Sequence, residues 1–404
     1  MIVGVASETH PGEQRVALIP ESIPKLTRAG LEVLIEAGAG EAAGFPDGAY
    51  QEQGASIASD RAELFERADL VLQVRGPGAN PTGGEADIKL LRPGQVVIGL
   101  CEPLAVPESA ARIAETGAVL LAMELMPRIT RAQSMDVLSS MGSIAGYKAV
   151  LLAAEALPKM LPMMMTAAGT IRAARVFVIG AGVAGLQAIA TARRLGALVD
   201  AYDVRPAVKE EVESLGGKFV ELELETEQTE GEGGYAQAMD ETFYRKQREM
   251  MAKVVSEHDI VITTAMVPGK QAPVLVTGEM VAGMRPGSVI VDLAAEKGGN
   301  CELSKPDKLV TSENGVRVLG PTNLPSTVAL DASRMYARNV VSFLLEMVEE
   351  GQLKLDTGNQ VIGDTLVTRD GQVIHPKVRQ ALGMEPLEAA PGGEDDTVPE
   401  ESES

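Results

Sequence analysis

Residues 175–206 read RVFVIGAGVAGLQAIATARRLGALVDAYDVRP, and this stretch decides the fold class. An apolar, strand-like run at 176–179 leads directly into the glycine-rich sequence G-A-G-V-A-G at 180–185, which opens a segment with helical spacing. A second strand-like run ends at Asp203, about 20 residues further on. A strand, a glycine-rich turn, a helix and a strand with a terminal carboxylate are the order of a dinucleotide-binding βαβ unit. The stretch therefore predicts an α/β domain that binds a dinucleotide.

The residues of the glycine-rich turn have separate roles in this predicted site. Gly180 permits the tight turn, Gly182 lets the backbone approach a pyrophosphate, and Gly185 lets the helix pack closely on the strand. Val183 and Ala184 open the helix, where free N–H groups would meet the phosphates. We expect all five residues to bind the cofactor.

The residues after the second strand predict which nucleotide binds. Asp203 is placed to accept hydrogen bonds from a ribose 2′-hydroxyl, and its charge would repel a 2′-phosphate, so we expect NAD(H) rather than NADP(H). Val204 belongs to the same predicted site. Arg205 calls for care, because arginine near this position can serve NADP(H). We interpret Arg205 as packing over the adenine or pairing with the pyrophosphate.

The rest of the chain alternates strand-like and helical runs, which favours an α/β architecture with mainly parallel sheets. We predict two Rossmann-like doubly wound parallel-sheet domains separated by a cleft. Residues 1–138, completed by 321–384, would form the N-terminal domain, and residues 139–320 would form the NAD-binding domain. The segment 385–404 has eight acidic residues and no basic one, so we expect a disordered acidic tail.

Charge and cysteine content limit the function further. The net charge of −21 argues against nucleic acid or an anionic membrane as the main partner. Cys101 and Cys301 lie far apart and give no metal-binding spacing, so we predict a reducing, cytoplasmic location and no metal site. The longest apolar stretches are interrupted by charged residues, prolines or glycines, so we expect no direct membrane insertion.

A polar stretch, PRITRAQSMDVLSS at 127–140, separates a strand-like run from a long apolar helical segment. A plain connection would need only a turn residue or two and one cap. The stretch therefore either holds a ligand or is a solvated loop in which Asp or Ser caps the helix. Gln133, Asp136 and Ser139 recur every third residue, roughly along one helical face.

The histidine content bears on the chemistry. The chain has three histidines, and none lies near the glycine-rich turn or the polar stretch in sequence. Oxidation of an alcohol or amine needs a general base as well as a hydride acceptor. Hydride transfer between two nicotinamides releases no proton at the reacting carbon, so it needs only positioning and exclusion of water. The composition suits the second reaction better.

Several motifs together resemble the alanine dehydrogenase and transhydrogenase α-chain superfamily: RVALIP, PRITRAQSMDVLSS, AGYKAV, GAGVAGLQAIATARRLGA, DVRP, ITTAMVPGKQAPVLV and VDLAAEKGGNCE. The resemblance extends over almost the whole chain, to about Pro376. Its finer match is to the NAD(H)-binding first domain of proton-translocating nicotinamide nucleotide transhydrogenases. Alanine dehydrogenases carry a substrate-contacting lysine and histidine where this chain reads LVLQVRGPG and GLCEPL, with neither. Their D-Q-G-G aspartate is replaced by Glu296-Lys297, whereas Arg15 is shared by both groups.

The resemblance implies roles for individual residues. Arg128, Asp136 and Ser139 would orient the nicotinamide carboxamide and the nearby ribose, with Ile129 in the same loop. Gln133 would contact the neighbouring NADP(H) domain, so this polar set would serve hydride transfer directly. In a mobile loop, Gly234 and Tyr235 would fold over bound nucleotide. The stretch TTAMVPGK follows a strand end, where the crevice of such a sheet lies, and we expect three of its residues to line the nicotinamide ribose: Thr264, Ala265 and Met266.

The function implied is that of the NAD(H)-binding α subunit of a proton-translocating transhydrogenase. It would form a homodimer and pass hydride from NADH to NADP⁺ on an NADP(H)-binding β subunit, while a membrane-spanning subunit moves protons. It would lie on the cytoplasmic face of the inner (plasma) membrane. Two alternatives stay open: an amino-acid dehydrogenase of the alanine type, and a non-catalytic subunit that senses NAD(H).

Overall fold

The computed structural model of the chain describes residues 1–221, 241–266 and 271–387. These residues form two large sheets, of eight and seven strands, with helices on both faces. In both sheets the strand order reverses beside the first strand, as in doubly wound folds. The predicted fold class is confirmed. The acidic tail from residue 388 onward and the loop that contains Gly234 and Tyr235 lie outside the described residues.

The first sheet has the order β19-β18-β6-β5-β4-β1-β2-β3. Its central strands form from apolar runs that are buried on both faces, as expected for a covered parallel sheet. The strands contributed by residues 1–122 are β1 (Ile2–Val5), β2 (Glu32–Glu36), β3 (Ser56–Ala58), β4 (Leu70–Arg75), β5 (Val96–Leu100) and β6 (Val119–Ala122). The helices between them are α1 (Ile23–Arg28), α2 (Asp47–Glu52), α3 (Arg61–Arg67), α4 (Gly84–Ile88) and α5 (Pro107–Glu115).

Helix α6 (Val137–Ala156) crosses from the first sheet to the second. By length and composition it is apolar enough to span a membrane. In the fold, however, its first half joins the core of the first domain through Val137 and Met141. Its second half joins the core of the second domain through Ala149 and Val150. Burial in two cores accounts for its apolar composition. The short antiparallel hairpin β7 (Met164–Thr166) and β8 (Gly169–Ile171) follows α6.

The second sheet has the order β11-β10-β9-β12-β13-β15-β14. Its strands are β9 (Arg175–Ile179), β10 (Leu198–Tyr202), β11 (Lys218–Phe219), β12 (Ile260–Thr263), β13 (Val289–Asp292), β14 (Leu309–Thr311) and β15 (Arg317–Leu319). The helices are α7 (Val183–Arg194), α8 (Lys209–Ser214), α9 (Glu241–Ser256) and α10 (Gly278–Ala282). All pairs are parallel except β14 with β15. The strand order reverses between β9 and β12, so a crevice opens at their carboxyl ends.

The chain then returns to the first sheet. The elements are α11 (Ala329–Met347), β16 (Val348–Glu349), β17 (Gln352–Leu353), α12 (Gln360–Thr365), β18 (Leu366–Arg369), β19 (Gln372–Val373) and α13 (Pro376–Ala381). Helix α11 packs in the first core, where the Tyr336 hydroxyl donates a 2.8 Å hydrogen bond to the carbonyl of Gln73. Strands β18 and β19 extend the sheet in antiparallel fashion, a feature that the sequence analysis did not predict.

Candidate functional site

A cavity of about 440 Å³ lies between the two sheets. One wall comes from the carboxyl ends of β9, β10 and β12 and from the start of α7. The facing wall comes from the ends of β4 and β5 and from the returning segment at 321–325. The first turns of α6 contribute to the cavity as well. Both domains therefore build the site.

The glycine-rich turn after β9 requires glycine at two positions. Gly180 has φ +97°, and a Cβ on it would lie 2.5 Å from Oγ1 of Thr264. A Cβ on Gly185 would lie 1.8 Å from the carbonyl oxygen of Gly180. At Gly182, the N-cap of α7, a Cβ would come no closer than 3.9 Å, to Nη2 of Arg205. The turn thus leaves open space beside the first N–H groups of α7, which is the geometry that an anion occupies. Val183 and Ala184 line the same wall.

Asp203 and Arg205 form a paired unit at the end of β10. The Asp203 carboxylate is only 8% exposed and accepts a 2.7 Å hydrogen bond from the backbone N–H of Ala181. The backbone N–H and Nε of Arg205 both donate to its Oδ1 at 2.9 Å, and Nη2 donates to Oδ2 at 2.9 Å. Arg205 thus pairs with Asp203, which differs from the adenine or pyrophosphate role inferred from sequence. The reason is local, because side chains two residues apart in extended backbone lie on the same side. Val204 lines the cavity between them.

The polar stretch contributes only part of its predicted set to the cavity. Arg128 and Ser139 lie in the wall, whereas Ile129, Gln133 and Asp136 do not. Gln133 is exposed, and Ile129 packs half-buried against the first core.

Backbone geometry explains why the three-residue spacing did not produce one face. Gln133 belongs to a 3-10 turn, Thr130–Met135, and Asp136 has extended backbone before α6 begins. Asp136 is the N-cap of α6, where its carboxylate accepts the Ser139 N–H at 2.9 Å and the Ser139 hydroxyl at 2.5 Å. The capping alternative left open by the sequence therefore describes Asp136.

On the side where the nicotinamide was expected, Thr264, Ala265 and Met266 all line the cavity. The Thr264 hydroxyl donates to the carbonyl of Gly180 at 2.9 Å and ties this segment to the glycine-rich turn. Asn300 clamps Ala265 from the other side: its Oδ1 accepts the Ala265 N–H at 2.9 Å, and its Nδ2 donates to the Ala265 carbonyl at 2.8 Å. The backbone of this wall is held on both sides.

Two wall residues near Asp203 were missed by the sequence analysis. Gln247 of α9 is 1% exposed and donates from Nε2 to the hydroxyl of Tyr202 at 3.0 Å. Its Oε1 is buried and has no hydrogen-bond partner within the described part of the chain. Burial raises the pKa of Tyr202 to about 12, so its phenol is neutral. An orphaned buried acceptor in a cavity wall fits a ligand that brings an N–H donor. No motif in the sequence pointed to either residue.

The facing wall is held by a buried cluster around Glu13. Arg15 donates to the Glu13 carboxylate from Nε at 2.7 Å and from Nη2 at 2.6 Å. Asn323 donates to it at 2.9 Å and Arg75 at 3.3 Å. Burial alone would raise the pKa of Glu13, but the hydrogen bonds and charge of Arg15 lower it to about 2. Arg15, Arg75 and Asn323 line the cavity, and both guanidinium groups are bound to this carboxylate.

The histidines of the described residues are not among those lining the cavity. His258 is buried in the second domain, where its ring nitrogens lie 2.8 Å from Oδ2 of Asp200 and 2.6 Å from the carbonyl oxygen of Val254. Both neighbours are acceptors, so both nitrogens carry hydrogen. His258 is therefore a structural cation. Within the same residues, no group of three or more His, Cys, Asp or Glu side chains is arranged to hold a metal ion.

Two doubly wound sheets and a glycine-rich turn at the cavity between them define a two-domain α/β protein of the dinucleotide-binding class. The family model described as "Alanine dehydrogenase/PNT, N-terminal domain" matches residues 4–145. The model described as "Alanine dehydrogenase/PNT, C-terminal domain" matches residues 149–376. The chain belongs to the alanine dehydrogenase/PNT family, and the resemblance inferred from its motifs is confirmed.

Individual relatives narrow the comparison. An NAD(P) transhydrogenase subunit alpha chain of Rhodospirillum rubrum is 48% identical over 379 residues, which cover 93% of this chain and 98% of the relative. The crystal structure of a transhydrogenase from Sinorhizobium meliloti is 47% identical, with a TM-score of 0.82 over 93% of this chain and 100% of that one. The alanine dehydrogenase of Halomonas elongata is 30% identical over 96% of this chain and 99% of its own length. These likenesses support a transhydrogenase subunit.

Proposed function

We propose that the chain is the NAD(H)-binding α subunit of a proton-translocating transhydrogenase and that it presents NADH to NADP⁺ held on a partner subunit. The observation that carries the proposal is the state of the two arginines in the cavity. Arg15 and Arg75 are both bound to Glu13, and Arg75 also lies 3.6 Å from the Glu296 carboxylate. A 2-oxo acid would need a cation that is free to bind its carboxylate. The compensated arginines support nucleotide-to-nucleotide transfer over amino-acid dehydrogenation.

The residues present fit a bound dinucleotide along one wall. Asp203, Val204 and Arg205 would hold the adenosine ribose, and the buried acceptor of Gln247 would receive an N–H of the adenine. The open space at Gly182 and the first N–H groups of α7 would hold the pyrophosphate. The nicotinamide end would lie against the residues that close this wall: Arg128, Ser139, Thr264, Ala265 and Met266. Gly185 would act from behind, through close packing of α7 on β9.

We infer that NAD(H) is the nucleotide bound here and that NADP(H) belongs to the partner subunit. Asp203 retains acceptor oxygens toward the cavity, and Arg205 holds them in place through three hydrogen bonds. A 2′-phosphate would compete with that carboxylate for the same guanidinium.

The cofactor supplies the hydride chemistry, and this chain supplies position and exclusion of water. A hydride that leaves one nicotinamide carbon and arrives at another needs no proton donor or acceptor in the wall. The gap between the two rings must be about 3–3.5 Å, so small displacements matter. Gln133 is exposed and belongs to the same polar stretch as the wall residue Arg128, which supports a contact with the NADP(H)-binding subunit. Asp136 would act indirectly, by fixing Ser139.

The proposal includes partners. A homodimer is supported by the hairpin β7–β8, whose residues are all exposed although they include Met164, Met165 and Ile171. An exposed apolar hairpin gains stability when another chain covers it. The NADP(H)-binding β subunit and a membrane-spanning subunit would complete the complex on the cytoplasmic face of the membrane. The lodging of α6 in two cores supports attachment through partners rather than direct membrane insertion.

The test combines the purified chain with an NADP(H)-binding subunit, NADPH and the acetylpyridine analogue of NAD⁺. We expect absorbance from reduced analogue only when both proteins are present. Turnover by the chain alone with NADH, pyruvate and ammonia would instead support the alanine-dehydrogenase alternative. Binding of NADH without turnover in either assay would support a sensing subunit.

A further inference from the structure

Two ion pairs connect the facing walls of the cavity. Nζ of Lys297 lies 2.5 Å from Oε2 of Glu102, and Nη1 of Arg75 lies 3.6 Å from Oε1 of Glu296. Glu102 and Arg75 follow or end strands of the first sheet, whereas Glu296 and Lys297 follow β13 of the second. Glu102, Arg75 and Glu296 line the cavity itself. Each pair therefore joins one domain to the other beside the space proposed for the nucleotide.

The backbone holds Glu102 in an uncommon conformation. Its φ is +48°, a left-handed value that few residues other than glycine adopt. Oε1 of Glu124 accepts the N–H of Glu102 in a short hydrogen bond and that of Cys101 at 2.7 Å. Strained residues of this kind persist where the surroundings fix them, and they cluster at functional segments. Here the conformation directs the Glu102 side chain across the cleft.

The opposite partners are held with similar care. Glu296 and Lys297 end the 3-10 turn Ala295–Lys297, which stops at Gly298 with φ +101°. The carbonyl of Lys297 accepts the N–H of Ala272 at 2.8 Å, which fixes the turn to the second domain. The side chains of Glu102 and Lys297 are 30% and 39% exposed, so their attraction is screened less than that of a fully exposed pair.

We propose that Glu102 and Lys297, assisted by Arg75 and Glu296, form an electrostatic clasp that sets the width of the cleft and thereby positions the nicotinamide end of the nucleotide. The two walls belong to domains that α6 and the segment at 321–328 connect, so contacts across the cleft decide their separation. These four are positioning residues. The part of this inference that concerns hydride transfer rests on the proposed function, whereas the effect on cleft width and NADH affinity does not.

The test uses the complete chain and three variants. Lys297→Met removes the charge at nearly constant length, Lys297→Arg keeps the charge, and E102K/K297E exchanges the partners. Lys354→Met is the matched control, because Lys354 pairs with Glu349 on the exposed hairpin β16–β17, away from the cavity. NADH affinity is measured by fluorescence titration, and the radius of gyration of the nucleotide-free protein by small-angle X-ray scattering. Thermal melting checks that each variant folds.

We expect Lys297→Met to raise the Kd for NADH by about three- to tenfold and to increase the radius of gyration. Lys297→Arg should stay near the wild type, and the exchanged pair should restore most of the affinity. The wild type should lose NADH affinity with rising salt more steeply than Lys297→Met, because one screened attraction is already gone. The control should match the wild type throughout.

Two results would overturn the clasp. One is a Lys297→Met protein with the Kd and scattering profile of the wild type, and the other is an exchanged pair that binds NADH no better than Lys297→Met. With the partner subunit added, kcat/KM for hydride transfer should follow the same order as NADH affinity. If no variant and no wild-type protein transfers hydride, the proposed function fails, while the binding and scattering results still decide the clasp.

Discussion

The pairing of Asp203 with Arg205 makes a sharp prediction about nucleotide choice. In Asp203→Asn, one oxygen remains to accept the Arg205 backbone N–H and Nε, which lie 2.9 Å from Oδ1. The new amide group would face two donors, the Ala181 N–H and Nη2 of Arg205, so two hydrogen bonds are lost. Each hydrogen bond to a charged group contributes about 1.5–3 kcal/mol. The released Arg205 cation then becomes available to a 2′-phosphate.

We therefore expect Asp203→Asn to lower the ratio of the Kd for NADPH to the Kd for NADH by about 10- to 100-fold, the equivalent of one charged hydrogen bond. Fluorescence titration with each reduced nucleotide measures both constants in the same protein. Asp331→Asn is the control, since Asp331 pairs with Arg334 on the surface at 3.5 Å. A variant that binds NADH as the wild type does and gains no affinity for NADPH would refute the reasoning, because Arg205 would then not be restrained by Asp203.

Three further predictions follow from other regions of the structure. Gln133→Asn should leave the Kd for NADH unchanged and slow hydride transfer to the partner's NADP⁺ by about 100-fold, because a shift of about 1 Å has that effect; equal losses in both would contradict the role. Gly185→Ala should lower thermal stability by about 3 kcal/mol or more, because its Cβ would lie 1.8 Å from the Gly180 oxygen, whereas Gly48→Ala, with no atom within 4 Å of its Cβ, should not destabilise the protein. Glu13→Gln should flatten the loss of stability in acid: the folded pKa of about 2 lies below the ordinary 4.5, so the carboxylate contributes about 3 kcal/mol above about pH 5 and loses it as pH falls toward 2. Urea unfolding at pH 7 and pH 3 checks this, and an unchanged difference between the two pH values in the variant would count against it.

The second sheet and its turn could be predicted because their signals are local. Gly180 and Gly185 are required by contacts within the turn itself, and the apolar runs of β9, β10, β12 and β13 show the continuous pattern of a covered parallel sheet. The strands β3, β14, β18 and β19 were not predicted. They have two to four residues each and lie at or near a sheet edge, so they carry too few side chains to show a period.

The polar stretch shows where spacing alone misleads. Its every-third-residue pattern suggested one ligand-facing row, but a helix start competes for the same side chains. Asp136 satisfies the free N–H of Ser139, a contact available in any folded state of this segment, so capping prevails over a ligand contact. Arg128 and Ser139, which are not required to cap, reach the cavity wall.

The facing wall could not be predicted, and the reason bears on function. Glu13 and Asn323 are 310 positions apart in sequence, and Glu102 and Lys297 are 195 apart, so only the packing of two domains brings these charges together. A reading from motifs therefore finds the half of the site that binds a dinucleotide, which the whole family shares. The half that decides what the nucleotide reacts with depends on whether the arginines beside it are free or compensated. In this chain both are bound to Glu13 before any substrate arrives, and an anionic metabolite would have to displace a buried carboxylate with a pKa of about 2. A second nucleotide, presented from outside by another subunit, has no such competitor.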